Sequence, residues 1–165
     1  MLKDFEEKFN IKVNYETFAT NEDMYVKFKK GGTNYDVAIP SDYMITKMIK
    51  EDMLEKIDLN NVPNFKYIDN KFKNLAFDPN NEYSIPYMWG TVGIMYNTKL
   101  VKEKVDSWNI LWDEKYKDQI LMIDSQRDAL AVALDKLGYS INSTNLEELE
   151  EAKQELMNQK DLVLS

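Results

Sequence analysis

The chain has 165 residues, of which 44% are hydrophobic and 12% aromatic, enough to build a packed core in one domain or two small lobes. Its 29 Asp and Glu residues outnumber its 21 Lys and Arg residues, which gives a net charge of -8; such a surface repels nucleic acid and anionic lipid and attracts small cations. The absence of Cys and His excludes disulfides, thiolate nucleophiles, imidazole bases and the usual zinc and copper ligands. Composition therefore disfavours a DNA-binding protein and most classes of enzyme, and no cofactor or metal is expected.

The start of the chain has the pattern of an amphipathic helix. Leu2, Phe5 and Phe9 fall at positions i, i+3 and i+7 with charged residues between them, whereas a secretion signal would place an apolar stretch after a basic one. The sequence also lacks an apolar run of about 18 residues, the length that a membrane-spanning helix needs. We expect neither a signal peptide nor a membrane span in this sequence.

Further helices are predicted by periodicity and capping residues. They cover residues 21–30, 43–52, 129–137 and 145–159, with a short amphipathic helix within 99–117. Ser41 or Asp42 would cap the helix that starts near residue 43. Gly138 would end the helix predicted at 129–137. Residues 58–82 are rich in Asn, Asp and Pro, which predicts a loop with one short helix.

Strands are predicted between these helices. They cover residues 11–15, 35–40, 84–97 and 120–123, with the opening of another strand at 162–164 that is cut off at Ser165. Alternating helices and strands are typical of mostly parallel sheets. Gly90 and Gly93 interrupt the third strand, and such a strand can pass from one lobe to another. We therefore predict a first lobe at residues 1–88 that lacks its first strand, a second lobe at 89–165 and a hinge near 88–97.

The end of the predicted strand at 35–40 is one candidate site, because ligands of α/β folds bind at the carboxyl ends of strands. Ser41 and Tyr43 follow that end directly. Ser41 could simply cap a helix, and Tyr43 could be a packing residue; alternatively, the Tyr43 ring could lie against a ligand ammonium. Trp89, at the predicted hinge, could line a ligand-binding cleft or could simply pack within the hinge.

A second candidate site follows the predicted strand at 120–123. Asp124 and Asp128 could form a cation site there, although Asp124 and Ser125 could equally be helix caps. Arg127 is the only arginine of the chain. Its guanidinium could hold one of these carboxylates in a forked pair, or it could form only a surface ion pair.

Five segments together give the chain a family resemblance. They are YDVAIPSDY at 35–43, MLEKID at 53–58, FDPNN at 77–81, YSIPYMWG at 83–90 and LGYS at 137–140. In this combination the chain resembles the spermidine/putrescine-binding proteins of bacterial ABC importers. The resemblance implies an α/β fold of the periplasmic-binding-protein type II, with two α/β lobes joined by hinge strands that close on a linear polyamine. The family pattern extends beyond both ends of this sequence, so we expect both lobes to be incomplete here.

The resemblance also implies roles for the candidate residues. Ser41 and Tyr43 would contact the ligand from the first lobe. An ammonium group would be bound from the second lobe by Asp124, Ser125 and Asp128. Arg127 and Trp89 would support these contacts. Ser125 stands where the family pattern has a second acid. The implied protein is not an enzyme: it works outside the cytoplasm and hands polyamine to an ABC permease. It would meet the membrane only through that permease or through a lipid anchor outside this sequence.

Other functions remain open from the residues alone. The chain could bind another small solute, such as ferric iron or an anion, although an acidic turn favours an organic cation. A glycosidase-like or transferase fragment is disfavoured by the lack of His and of a separated carboxylate pair. It could also be an interaction fragment that binds no solute. Because the predicted sheet lacks partners, we expect self-association or strand exchange between copies.

Overall fold

The computed structural model describes residues 1–32 and 34–164. The chain divides into two compact units, Met1–Trp89 and Gly90–Ser165, called unit 1 and unit 2 below. Their interpretation as two lobes joined by a hinge at 88–97 stays a prediction. The strand predicted to open at 162–164 is expected to be cut off at Ser165, and Ser165 lies outside the described residues.

The α-helices lie close to where the sequence predicts them. In chain order the helices of the described residues are α1 Leu2–Phe9, α2 Asn21–Lys30, α3 Asp42–Lys50, α4 Gln126–Lys136 and α5 Leu146–Gln159. Helix α4 begins three residues earlier than expected, because the Ser125 side chain accepts a hydrogen bond from the Asp128 backbone and so caps the helix there. None of the described helices is long and apolar enough to span a bilayer.

Short 3₁₀ helices form in the regions 58–82 and 99–117. Three of them fall within the expected loop, at Leu59–Asn61, Pro63–Tyr67 and Asn70–Phe72. The single helix predicted within 99–117 is wrong, since this region forms two 3₁₀ turns at Trp108–Trp112 and Glu114–Tyr116. The side chains of Ser107 and Asp113 each cap the turn that follows, and this local bonding competes with a continuous helix.

The predicted strands do not assemble into a sheet within the described residues. The β-pairing found there is one parallel bridge between Ile120 and Val163, supported by a 2.8 Å bond from the Leu164 N–H to the Ile120 carbonyl. Apolar side chains of the other segments are solvent-exposed, such as Val37 at 78% and Met95 at 97%. A parallel strand needs a neighbour brought alongside by a crossover, and the described residues supply that neighbour only at the bridge.

The core of unit 1 forms between α2 and α3. Met24 and Tyr25 of α2 are buried against Met44 and Met48 of α3. The Tyr25 hydroxyl also donates a 2.7 Å hydrogen bond to Glu51, the residue that ends α3. These contacts fix the two helices against each other, and with them the residues that begin each helix.

The core of unit 2 forms between α4 and α5. Ala133 and Leu134 of α4 pack against Ala152 of α5. Two half-buried indoles, those of Trp108 and Trp112, pack at the edge of this pair. The Trp108 N–H donates to Asp135 at 2.6 Å, and the Trp112 N–H donates to the Glu155 carbonyl at 2.9 Å.

Candidate functional site

In unit 1 the predicted site residue Ser41 joins the starts of two helices. Ser41 is the N-cap of α3, yet its side chain makes no capping bond. Its backbone N–H donates to Asn21 Oδ1 at 3.0 Å, and Asn21 Nδ2 donates to Ser41 Oγ at 3.1 Å. This reciprocal pair holds the first residue of α2 beside the N-cap of α3.

Tyr43 lies next to this pair and contacts a carboxylate. Its ring is half-buried against the unit 1 core, and its hydroxyl donates to Glu22 Oε1 at 3.0 Å. Glu22 is exposed and lies in the first turn of α2, where the helix dipole stabilises an anionic side chain. We call Asn21, Glu22, Ser41 and Tyr43 the first-unit patch.

The first-unit patch has the chemistry of an ammonium site. An ammonium group carries only donors, and the patch offers carboxylate and hydroxyl oxygens beside an aromatic ring. The sequence did not predict Asn21 and Glu22 as site residues, and they entered only as the first residues of the helix predicted at 21–30. Their contacts with Ser41 and Tyr43 join residues 20 and 21 positions apart, and no local pattern reveals such a pair.

Trp89 lies at the surface of unit 1 rather than in its core, with 66% of its area exposed. The Phe72 ring lies 5.6 Å from the Trp89 ring, centroid to centroid, at a tilt of 36°. The Lys71 amine stands 4.8 Å from the Phe72 centroid and 5.9 Å from that of Trp89, a geometry in which cations are attracted to ring faces. The Phe72–Trp89 ring pair is thus an exposed aromatic surface that already attracts an ammonium.

In unit 2 the predicted acidic residues surround the start of α4. Ser125 is the N-cap, and its Oγ accepts from the Asp128 N–H at 3.4 Å. Asp124 is exposed just before the cap, and Asp128 is half-buried in the first turn of the helix. Arg127 donates to Asn142 Oδ1 at 2.7 Å. We call residues 124–128 the second-unit turn; the capping role of Ser125 is confirmed, while its role toward a ligand stays a prediction.

Two further features bear on where a ligand could bind. A hollow of about 420 Å³ in unit 2 is lined by residues that include Val105, Trp108 and Asp135, and none of the predicted site residues lies on it. Within residues 1–32 and 34–164, no group of three or more Asp, Glu, His or Cys side chains could hold a metal ion.

The oxygen acceptors at the starts of α2, α3 and α4 could accept hydrogen bonds from a small cationic solute. The family model for bacterial extracellular solute-binding proteins matches residues 1–162. The chain belongs to this family.

Characterised relatives and solved structures agree with this assignment. The chain is 45% identical to the spermidine/putrescine-binding periplasmic protein of Escherichia coli, over 94% of this chain and 45% of the relative. It is 35% identical to the putrescine-binding periplasmic protein SpuD of Pseudomonas aeruginosa, over 93% of this chain and 45% of the relative. A putative spermidine/putrescine ABC transporter structure from Listeria monocytogenes superposes with a TM-score of 0.94 at 44% identity, over 99% of this chain and 51% of that one.

These matches confirm the predicted fold class, the periplasmic-binding-protein type. A second structure, the Tp0655 lipoprotein of Treponema pallidum, superposes with a TM-score of 0.92 at 34% identity, over 99% of this chain and 52% of that one. The chain spans about half the length of the curated relatives that it matches.

Proposed function

We propose that the protein to which this chain corresponds captures a polyamine, spermidine or putrescine, outside the cytoplasm and delivers it to the permease of an ABC importer. The protein binds its cargo without converting it chemically. Ser41 and Tyr43 contact the ligand from unit 1, and Asp124, Ser125 and Asp128 contact it from unit 2. Arg127 positions the second-unit turn, and Trp89 adds an aromatic face.

The observation that carries this proposal is the contact between Tyr43 and Glu22 beside Ser41. A phenol that donates to one carboxylate oxygen at 3.0 Å leaves the remaining oxygen lone pairs able to accept from an ammonium. The adjacent ring face attracts the same cation by roughly 0.5 to 2 kcal/mol, depending on how far water is excluded. Glu22 thereby joins Ser41 and Tyr43 as a proposed ligand contact.

Charge and relatives support a polyamine over other solutes. The net charge of -8 attracts a polycation and raises its rate of encounter. Relatives at 43% and 45% identity are named for spermidine and putrescine, and the E. coli and SpuD relatives are named as periplasmic. An anion would need Arg clusters or uncompensated helix N-termini, whereas Glu22 and Asp128 place carboxylates in the first turns of α2 and α4.

The proposal is tested by following backbone and side-chain NMR signals of the chain during titration with spermidine. We expect the signals of Ser41, Tyr43 and Asp128 to shift, and the Glu22→Gln variant to lose the shifts at Ser41 and Tyr43. The matched control is Glu7→Gln, which removes an exposed carboxylate on α1, outside the first-unit patch. Magnesium chloride at equal ionic strength controls for general attraction by negative charge.

Two outcomes would count against the proposal. One is that magnesium shifts the same signals as spermidine, and the other is that Glu22→Gln binds spermidine like Glu7→Gln. We expect weak affinity, because the chain spans about half the length of its relatives. A sub-micromolar dissociation constant in isothermal titration would contradict that expectation.

Self-association of the chain is the second part of the proposal. Exposed apolar side chains line segments that have no ladder partner within the described residues, among them Val37, Ile39, Val92 and Met95. Unpaired strand segments of this kind invite pairing with another copy. Sedimentation velocity should show an average mass that rises with protein concentration, and a monomer at every concentration would refute this part.

A further inference from the structure

A buried carboxylate outside the proposed ligand contacts lies in the loop that leads to Trp89. Asp78 is only 3% exposed and Asn81 only 2%, although both belong to a polar loop. Burying a charged carboxylate is costly unless hydrogen bonds replace its water. The partners of Asp78 therefore indicate what the loop is built to hold.

The Asp78 carboxylate accepts hydrogen bonds from the segment just after it. Its Oδ1 accepts from the backbone N–H of Glu82 at 3.0 Å, and its Oδ2 accepts from that of Tyr83 at 3.0 Å. Its Oδ2 also accepts from both the N–H and the hydroxyl of Ser84, each at 2.8 Å. Bonds to a charged acceptor are roughly twice as strong as neutral ones, so Asp78 fixes the course of the chain through Ser84.

Asn81 ties the same loop to the segment before it. Its Oδ1 accepts from the backbone N–H of Asn74 at 2.8 Å, and its Nδ2 donates to the Ser84 carbonyl at 3.4 Å. Asn81 has a φ of 49°, and Asn74 has one of 55°, the left-handed region that asparagine tolerates better than most residues. Asn81 thus links residue 74 to residue 84.

The two segments that this loop joins each carry one ring of the Phe72–Trp89 pair. Phe72 lies two residues before Asn74, and Trp89 lies five residues after Ser84. We propose that Asp78, with Asn81, is a positioning residue that aligns Phe72 and Trp89 as one aromatic surface for a ligand ammonium. The ligand part rests on the proposed function; the alignment part stands on the contacts of unit 1 alone.

The alignment is tested without ligand, by measuring the nuclear Overhauser effect between the ring protons of Phe72 and Trp89 and the position of the Trp89 indole signal. In Asp78→Asn the cross-relaxation should weaken, and the indole signal should move toward its position in Phe72→Ala. Asp58→Asn is the matched control, because Asp58 is an exposed carboxylate that caps another turn of the same loop region. It should leave both readouts at their values in the parent chain.

A second variant keeps the test decisive if Asp78→Asn loses part of the helical signal of the chain in circular dichroism. Asn81→Gly allows the same positive φ while it removes the bonds to Asn74 and Ser84, and it should weaken the ring contact in the same direction. The alignment is refuted if each variant that keeps its helical signal retains the parent's ring contact.

The ligand part is tested by titrating spermidine into the same variants. The dissociation constant reported by the Trp89 indole signal should rise several-fold in Asp78→Asn and stay unchanged in Asp58→Asn. An altered ring contact with no spermidine response at Trp89 in the parent chain would refute the ligand part and leave the alignment standing. An unaltered ring contact in Asp78→Asn, together with a spermidine response at Trp89 in the parent chain, would refute the alignment and leave Trp89 as a ligand contact.

Discussion

Ser41 in unit 1 and Ser125 in unit 2 occupy the same kind of position and are used differently. Each is the N-cap of a helix, and each follows a segment predicted as a strand. Ser125 Oγ accepts from the N–H of Asp128, within its own helix. Ser41 Oγ instead accepts from Asn21 on α2. The same residue type thus stabilises one helix in unit 2 and joins two helices in unit 1.

The difference affects how each candidate contact is held in place. The second-unit turn depends chiefly on whether α4 begins correctly, because its cap is local. The first-unit patch depends on how α2 and α3 pack, because Glu22 and Tyr43 come from different helices. A change that separates α2 from α3 should therefore disperse the patch, even if both helices persist.

The largest expected effect comes from the cores that support the two sites. Met48→Ala in α3 and Leu134→Ala in α4 each remove a side chain that is fully or almost fully buried. Each should lower the free energy of unfolding of its unit by about 2 to 5 kcal/mol. Urea denaturation followed by NMR signals of each unit separates the two effects, and Met48→Ala should also abolish the Tyr43 to Glu22 contact.

The control for these core variants is Val26→Ala, an exposed apolar residue on α2. It should change stability by no more than about 0.5 kcal/mol. If Met48→Ala lowered the free energy of unfolding as little as Val26→Ala does, the core between α2 and α3 would not support the first-unit patch.

The next largest effect separates a local cap from a tertiary one. Ser125→Ala should destabilise unit 2 by about 1 kcal/mol, whereas Ser125→Gly should cost only a few tenths. The reason is that glycine adopts N-cap geometry and lets water reach the free N–H groups. Hydrogen exchange of the first amides of α4 measures this directly, and equal protection in all three proteins would contradict the local role of Ser125.

A double-mutant cycle tests the corresponding contact in unit 1. Asn21→Ala removes both bonds of the reciprocal pair, whereas Ser41→Ala removes only the bond from Asn21 Nδ2 to Ser41 Oγ, so each should cost roughly 0.5 to 1.5 kcal/mol. The double variant should cost clearly less than their sum, because both changes break the bond between Asn21 Nδ2 and Ser41 Oγ. The matched cycle of Asn21→Ala with Ser125→Ala should be additive to within about 0.5 kcal/mol. Additivity in both cycles would mean that Ser41 and Asn21 are not coupled.

The sequence predicted the helices well because their signals are local. Periodicity of apolar residues and caps at Ser125 and Gly138 lie within a few residues of the helix ends they mark. The strand segments were identified by composition, but pairing depends on partners far along the chain. In the described residues a partner is present only where Val163 meets Ile120.

The candidate sites show the same division. Ser41, Tyr43 and the second-unit turn are candidates from the sequence because they follow strand-like segments and match a family pattern, and their role toward a ligand stays a prediction. Glu22 and Asn21 could not be identified from the sequence, since their contacts with Tyr43 and Ser41 depend on the packing of α2 against α3. Asp78 sits inside a recognisable FDPNN segment, but a turn pattern does not show that its carboxylate is buried against the N–H groups of Tyr83 and Ser84.

The smallest expected effect is a pH dependence that should separate the two units. A hydrogen bond from Lys29 and a second one from Tyr25 lower the pKa of Glu51 below its usual 4.5. A lowered folded-state pKa means that the ionised form stabilises the fold, so this contribution is complete above pH 4.5 and is lost as pH falls through the folded-state pKa. Because Glu51 ends α3 and binds α2, acid should loosen the first-unit patch before it affects the Ser125 cap.

This pH dependence is measured by following the NMR signals of Ser41, Tyr43 and Asp128 from neutral pH downward. Ser41 and Tyr43 should change together as the pH falls below 4.5, whereas the amide of Asp128 should keep its protection. Glu51→Gln should remove this acid transition from unit 1, since glutamine cannot be protonated in this range, while Glu55→Gln, which alters an exposed neighbour, should retain it. If Glu51→Gln keeps the transition, another carboxylate sets the acid response, and the Glu51 contact with Tyr25 and Lys29 is not what holds α2 to α3.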